Sequence, residues 1–420
     1  MHTQYRLYLA SLVIYRNILQ DPVLTALDSW LNSQECDYVE STSRYHHFCH
    51  VLLKTRKCLA CHLQKLILED DNIFSQTAEA GGVVENSLRE LAARDLELLQ
   101  KVAAADFAEL APPAEHRLEL KELVCHGLNG FDNPLQKAVD WPGQIDKLIT
   151  HYRANSRGLT ARFRALRWDA QSGLQGISHP HQPRLQDLVG YDYQKGVLCR
   201  NTEQFLAGLP ANHILLYGSS GTGKSTMIKA LLQRYHDQPL RLVEVQRDSL
   251  KSLHQLAEIL CNYRLRFILF IDDLSFEDNE TEYKGLKAIL EGSLSSQSGN
   301  ILVYATSNRR HLVKEYFKDR SCLDEEIHVY DTQQEKISLA DRFGITLTFS
   351  PPNREEYLAI VQGLAQQAEL DIDPLILRKE ALQWERVKHG PSGRTAQQFI
   401  NYICGGLKTG AGDITAGDQG

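Results

Sequence analysis

One eight-residue stretch limits what this chain can fold into more than anything else in it. Gly218-Ser219-Ser220-Gly221-Thr222-Gly223-Lys224-Ser225 fits the spacing G-x-x-x-x-G-K-[ST] without a mismatch. Such a loop joins a strand to a helix. Its glycines let backbone N–H groups turn inward around phosphate oxygens, and the new helix aims its positive end at them. The flanks agree: the apolar run Ile214-Leu215-Leu216 precedes the loop, and an amphipathic segment from Ser225 to Tyr235 follows. Lys224 is placed to reach the β- and γ-phosphates of a nucleoside triphosphate, and the Ser225 hydroxyl to join a Mg²⁺ shell. The bland alternative is a glycine-rich turn with no ligand, which leaves the lysine and the hydroxyl without a task. Gly218 to Ser225, with Thr226 beside them, are therefore candidate nucleotide-binding residues.

Short apolar runs recur around this loop and alternate with helical stretches. They are His213–Tyr217, Leu240–Val245, Phe267–Ile271, Ile301–Ala305 and Ile345–Phe349. The alternation predicts an α/β domain with a parallel sheet made of crossover units. It starts at Leu185 and ends near Pro351-Pro352, after which only helices are expected. Asn353 is their first N-cap, with Glu355 and Glu356 in the first turn. Before the α/β region, residues 3 to 168 read as mainly helical, with Leu88, Leu91, Leu98, Leu99 and Val102 at helical spacing. Breaks at Ala80-Gly81-Gly82 and Ala111-Pro112-Pro113 divide those helices. The stretch from Asp169 to Pro183 holds Gly, Ser, His and Pro without periodicity and reads as a linker. The expected domains are 1–168, helical; 169–184, linker; 185–351, α/β and nucleotide-binding; and 352–420, helical with a polar tail.

Two further strand ends carry chemistry. Phe267-Ile268-Leu269-Phe270-Ile271 ends in Asp272-Asp273, which puts two carboxylates at the carboxyl edge of the sheet, where open α/β folds bind ligands. Asp272 is the candidate metal holder with Ser225, and Asp273 the candidate base or orienter of a water. The competing reading has the pair merely capping the next turn. Ile301 to Asn308 is another strand ending in polar residues. Asn308 could bond a γ-phosphate or a lytic water, or else N-cap a helix near Arg310.

Composition narrows the class of protein. With 420 residues, 43% hydrophobic and 24% charged, the chain has ample sequence for two or three globular domains. A net charge of −7 does not indicate nucleic acid as a partner. Nine scattered cysteines do not resemble a disulfide framework and suit a reduced, cytoplasmic setting. Arg6 and Arg16 interrupt the apolar N-terminus, so no secretory signal is expected, and no apolar run is long enough to span a membrane.

From Leu185 to about Gly406 the chain resembles the AAA+ ATPases, and more closely the bacterial AAA+ family known as DUF815. Three stretches carry the closer likeness: Asp187-Leu188-Val189-Gly190-Tyr191, Asp272-Asp273-Leu274-Ser275-Phe276 and Ser338-Leu339-Ala340-Asp341-Arg342-Phe343-Gly344. The resemblance implies a P-loop NTPase core followed by a C-terminal helical lid, with ATP and Mg²⁺ as cofactors. It implies that Val189, Gly190 and Tyr191 line the adenine pocket and that Asn308 is the polar sensor. Arg342 would be a finger offered to a neighbouring subunit of a homo-oligomer, and Arg394 a lid arginine near the γ-phosphate. Each arginine also has a plain reading as an ion-pair residue. One departure stands out: AAA+ proteins usually end the acidic strand with Asp-Glu, whereas this chain has Asp272-Asp273, with Glu277 as a possible substitute base.

The reading is thus an ATP-binding AAA+ protein that hydrolyses ATP and acts on an unknown protein partner through its N-terminal region. The alternative is a switch or scaffold with negligible turnover. Cys58-Leu59-Ala60-Cys61-His62 has a haem-attachment spacing, and zinc is also conceivable there with His46, His47, Cys49 or His50, but ordinary helix residues are expected. Arg157, Arg162, Arg164 and Arg167, with Phe163 and Trp168, could touch nucleic acid; a solvated helix face is expected instead.

Overall fold

A computed structural model of the chain describes residues 2–33, 37–105, 133–136, 138–274, 284–291, 299–308, 342–388 and 390–408. It divides into two compact units, Met1–Arg162 and Phe163–Gly420.

The first unit is helical. Its helices are α1 (His2–Ala10), α2 (Pro22–Leu31), α3 (Tyr38–Lys54), α4 (Leu59–Glu69), α5 (Ile73–Ala80), α6 (Asn86–Ala103), α7 (Ile145–Asn155) and α8 (Gly158–Arg162). Gly81, with φ 81°, ends α5 in the left-handed conformation that glycine adopts without strain. On α6, Ala92, Leu96, Leu99 and Val102 are buried at helical spacing, and Trp30 stacks on Phe48 elsewhere in the same core. Asp95, fully buried, accepts hydrogen bonds from the backbone N–H groups of Val13, Ile14 and Tyr15. Cys58 caps α4 by accepting from Cys61 N, and His62 bonds Asp21 at 2.8 Å. The break expected at residues 111–113 lies outside the described residues.

Among the described residues, the second unit is built on one seven-stranded sheet. Its strands are β1 (Ala165–Asp169), β2 (Gly173–Gly176), β3 (Ile214–Gly218), β4 (Leu240–Val245), β5 (Arg266–Ile271), β6 (Ile301–Ser307) and β7 (Ile345–Phe349), in the order β2-β1-β4-β5-β6-β3-β7. Among these described strands, only the β1–β2 pair is antiparallel. Helices α9 (Asp192–Leu206), α10 (Lys224–Arg234), α11 (Leu253–Leu260) and α12 (Lys284–Leu290) accompany the strands. Five of the strands coincide with the expected apolar runs. Of these, β5 and β6 read as continuous hydrophobic segments because both faces of a central parallel sheet are covered: Phe267 to Ile271 and Ile301 to Ala305 are all buried, whereas β7, at the sheet edge, alternates, with Thr346 and Thr348 exposed. Alternate residues Ile214, Leu216, Ile268, Phe270, Leu302 and Leu347 share a core with Leu198 and Phe205 of α9 and Met227, Ile228 and Leu231 of α10.

Two expectations are corrected here. Residues 165–168, expected to be helical, and 169–183, expected to be linker, instead contain β1 and β2, a hairpin that extends the sheet beyond β4. Nor do the basic residues form a helix face. Arg157 is 4% exposed and pairs with Glu79, Arg162 pairs with Glu69, and Arg164 donates to the Tyr235 carbonyl. Arg167 pairs with Glu244 across β1 and β4, and Trp168 is buried with its indole N–H on Ser252.

After β7 come α13 (Arg354–Gln367), α14 (Pro374–Val387) and α15 (Gly393–Lys408), which form the expected C-terminal helical lid. Asn353 starts them as expected: its side chain accepts from Glu355 N and Glu356 N, and Glu356 bonds back to Asn353 N. Tyr357, Val361, Ala381, Phe399 and Ile400 are the centre of a separate small core. None of the described helices is long and apolar enough to cross a membrane.

One partly buried imidazole makes sheet stability pH-dependent. His213 Nδ1 accepts from Val303 N at 3.0 Å, so the ring must be neutral, and burial lowers its pKa to about 4. A folded-state value below the unfolded one means the unfolded chain binds the proton more readily, so the contribution is present above about pH 6.5 and lost as pH falls toward 4. Between pH 7 and 5, wild type should lose on the order of 1–2 kcal/mol more than His213→Asn in urea unfolding. Equal losses in the two proteins would remove His213 as the cause.

Candidate functional site

The carboxyl ends of β3, β5 and β6 lie side by side, because β6 pairs with both β3 and β5. This brings the glycine-rich loop, the acidic pair and Asn308 to one edge of the sheet. The loop leaves β3 through Gly218, where φ is 144° and an added Cβ would sit 2.0 Å from the Phe349 carbonyl oxygen. Only glycine allows that approach. Farther along, Gly221 and Gly223 also have positive φ, 79° and 87°, a backbone handedness that turns N–H groups into a common concavity.

Lys224 opens α10 and is 5% exposed. Its ammonium donates to the carbonyls of Gly218 and Ser219, both at 2.8 Å, and to Asn308 Oδ1 at 3.0 Å. Burial lowers its pKa, the carboxylates of Asp272 and Asp273 oppose that shift, and Arg394 adds to it. The lysine thus lies folded under the loop rather than out in the open.

Ser225 Oγ donates to Asp272 Oδ1 at 2.5 Å, and Thr306 Oγ1 donates to the same oxygen at 2.6 Å. Asp273 has a left-handed φ of 51°, a region more accessible to Asp than to most residues but still costing about 1–3 kcal/mol. Its N–H donates to Thr306 Oγ1 at 2.9 Å, and Asn308 Nδ2 donates to its Oδ1 at 2.7 Å. Asn308 therefore bridges Lys224 and Asp273, with its oxygen toward one and its nitrogen toward the other. The arrangement differs from a simple turn cap, since both carboxylates engage residues of other elements. Glu277 lies outside the described residues.

A cavity of about 970 Å³ opens above these groups and continues to the lid, a size suited to a small organic ligand. Asp187, Leu188, Val189 and Tyr191 line its far end with Ile360 and Leu364 of α13. Val189 belongs to the packing of the lid core, and Gln367 of α13 donates to the Asp187 carbonyl at 3.2 Å. Gly190 and Tyr191 both have positive φ, 80° and 56°, as the chain turns into α9. The Tyr191 hydroxyl donates to the Ser350 carbonyl at 2.7 Å, and its ring lies 4.9 Å from that of Phe349. Arg394, exposed in the first turn of α15, lines the cavity, and its N–H donates to the Gly221 carbonyl at 3.2 Å.

The cavity brings together Val189, Tyr191, Ser220 to Thr226, Asp272, Asp273, Asn308 and Arg394. Arg342 is not among the lining residues; its guanidinium pairs with Glu291. Sequence reasoning passed over Thr306, His181 and Gln397, all of which line the cavity. Thr306 was visible only as the sixth residue of an apolar strand. The cavity fits a nucleoside triphosphate with a divalent cation on two grounds. Gly221 and Gly223 of its lining hold positive φ, which turns the loop backbone into a concavity for phosphate oxygens, and the Ser225 hydroxyl beside the Asp272 carboxylate is an oxygen-only set such as Mg²⁺ takes.

Comparisons with known proteins give three findings. Residues 161–407 match the family described as "Protein of unknown function (DUF815)". No curated protein matches the chain. Similar solved structures include the Thermotoga maritima RuvB Holliday junction branch migration motor, at 18% identity, covering 55% of this chain and 68% of that one, with a TM-score of 0.40. A single-residue variant of Thermotoga maritima RuvB gives the same identity and coverages with a TM-score of 0.41. The FIGL-1 AAA domain in complex with ADP is 20% identical over 57% of this chain and 80% of that one, with a TM-score of 0.38.

Proposed function

Because the chain belongs to the DUF815 family and carries its glycine-rich loop at the carboxyl edge of a parallel sheet, we propose that it is an AAA+ P-loop protein that binds ATP with Mg²⁺ and hydrolyses it to change the contacts of its lid and subunits. The observation that carries this reading is the meeting of Ser225 and Asp272 at 2.5 Å directly beside Lys224. When bound, Mg²⁺ would supply positive charge that offsets the charge developing on the phosphates. Ser225 and Asp272 hold that cation, while the loop N–H groups and Lys224 hold the phosphates. Val189, Gly190 and Tyr191 receive the base, and Arg394 closes on the γ-phosphate from the lid. Asn308 and Asp273 orient the attacking water. The partner on which this work is done docks on the N-terminal helical unit.

A second reading, a nucleotide-dependent switch with negligible turnover, has one observation in its favour. Asp273 is shorter than the usual glutamate, and its Oδ1 already accepts the Asn308 amide at 2.7 Å. Steady-state phosphate release from pure protein separates the two. Mg²⁺-dependent turnover supports hydrolysis; tight binding with no release supports the switch.

Without Mg²⁺, Asp272→Asn should bind ATP about as well as wild type, because the loop is intact, yet it should lose about 100-fold or more in Mg²⁺-dependent turnover. Wild-type turnover in that variant would take Asp272 out of the metal site.

A further inference from the structure

We propose that Thr306 is the positioning residue for both acidic side chains of the site: its single hydroxyl orients the Asp272 carboxylate and anchors the backbone of Asp273. The inference rests on the reading of this cavity as a Mg²⁺–nucleotide site and deepens it.

The argument starts from register. Ile271 of β5 pairs with Ala305 of β6, so one step farther along two parallel strands Asp272 and Thr306 are neighbours. Thr306 is 2% exposed, so its hydroxyl must find its partners inside the protein. A hydroxyl has one proton to give and lone pairs to receive. The backbone N–H of Asp273 can only donate, and it does so to Thr306 Oγ1 at 2.9 Å. The proton of Thr306 is therefore free for Asp272 Oδ1, 2.6 Å away.

Each bond has its own consequence. The bond to Asp272 meets the one from Ser225 on the same oxygen, so the carboxylate is fixed against rotation between two hydroxyls. The bond from Asp273 N, with that from Leu274 N to the Thr306 carbonyl at 2.7 Å, pins the strand exit on both sides. That clamp holds Asp273 at a φ of 51°, the conformation from which its side chain meets Asn308. A shorter acid than glutamate depends more on where its backbone stands, and Thr306 sets that position.

The test uses the full chain, a fluorescent ATP analogue titrated with and without Mg²⁺, and phosphate release with ATP. Thr306→Val removes the hydroxyl at nearly constant shape. Affinity without Mg²⁺ should be unchanged, which also reports an intact fold. The Mg²⁺ concentration needed for half-maximal effect should rise, and kcat should fall, by about 10- to 100-fold. KM should move by less than about threefold, since binding of the phosphates is untouched. Thr306→Ser, which keeps the hydroxyl, should restore wild-type values. If the valine variant fails to fold, Thr306→Ala removes the hydroxyl without adding bulk and takes its place.

A hydroxyl-free variant with wild-type Mg²⁺ requirement and kcat overturns the proposal. So does a serine variant as impaired as valine, because the methyl rather than the hydroxyl would then matter. Should wild type bind nucleotide without turning it over, the Mg²⁺ titration alone still decides the role of Thr306. A wild-type chain that binds no nucleotide at all instead overturns the reading of the loop, and the role of Thr306 falls with it.

Discussion

Lys224→Ala is expected to weaken nucleotide binding by about 100-fold or more, because charge-assisted hydrogen bonds to phosphate contribute roughly 1.5–3 kcal/mol each. The structure adds a second consequence. Lys224 is buried and donates to the Gly218 and Ser219 carbonyls and to Asn308, so the variant also loses the ties that hold the loop to its own strand end. Unfolding should therefore occur at a slightly lower temperature, while the sheet, whose core lies below the loop, stays folded. Fluorescent-nucleotide titration beside circular dichroism reads both effects. A folded variant with unchanged affinity would remove the loop from nucleotide binding altogether.

The second large effect concerns Arg342. As a finger acting on a neighbouring subunit, it would stabilise charge on the transferring phosphoryl group, a contribution worth about 10³-fold or more in kcat. Arg342→Ala should then bind ATP normally and turn it over at about a thousandth of the wild-type rate. Wild-type specific activity should rise with protein concentration. Mixing Arg342→Ala with Lys224→Ala should restore part of the activity, because one mixed interface joins an intact loop to an intact finger. The pairing of Arg342 with Glu291 in the same chain supplies the contrary case. An arginine that serves only that pair predicts activity independent of concentration and no rescue on mixing. Sedimentation with and without ATP, run beside the mixing assay, decides between them.

What the sequence revealed, and what it hid, follows from how far each feature depends on distant residues. β5 and β6 were legible because a strand buried on both faces is a continuous apolar run, and β7, at the sheet edge, because its apolar residues alternate with exposed threonines. The loop at Gly218 was legible because its chemistry is local: strand end, glycines, lysine and helix start are consecutive. The hairpin β1–β2 was hidden. Ala165-Leu166-Arg167-Trp168-Asp169 carries a burial pattern interrupted by Arg167, and β2 is Gly173-Leu174-Gln175-Gly176, half glycine. Such segments become strands because β4 offers them an edge, not through their own propensity. The arginine pairings were hidden for the same reason, since Glu79, Glu69 and Glu244, which pair with Arg157, Arg162 and Arg167, lie far away in sequence. Thr306 could not be singled out without the register of β5 and β6. The Asp273 backbone, left-handed and clamped, was equally invisible.

Calorimetric titration of ATP into the purified full chain, with and without Mg²⁺, bears most directly on the claim that this cavity is a Mg²⁺–nucleotide site. Saturable binding of one ATP per chain is expected, strengthened by Mg²⁺ in wild type, little strengthened in Asp272→Asn, and lost in Lys224→Ala. Absence of binding in wild type, or binding that survives unchanged in folded Lys224→Ala, would contradict it.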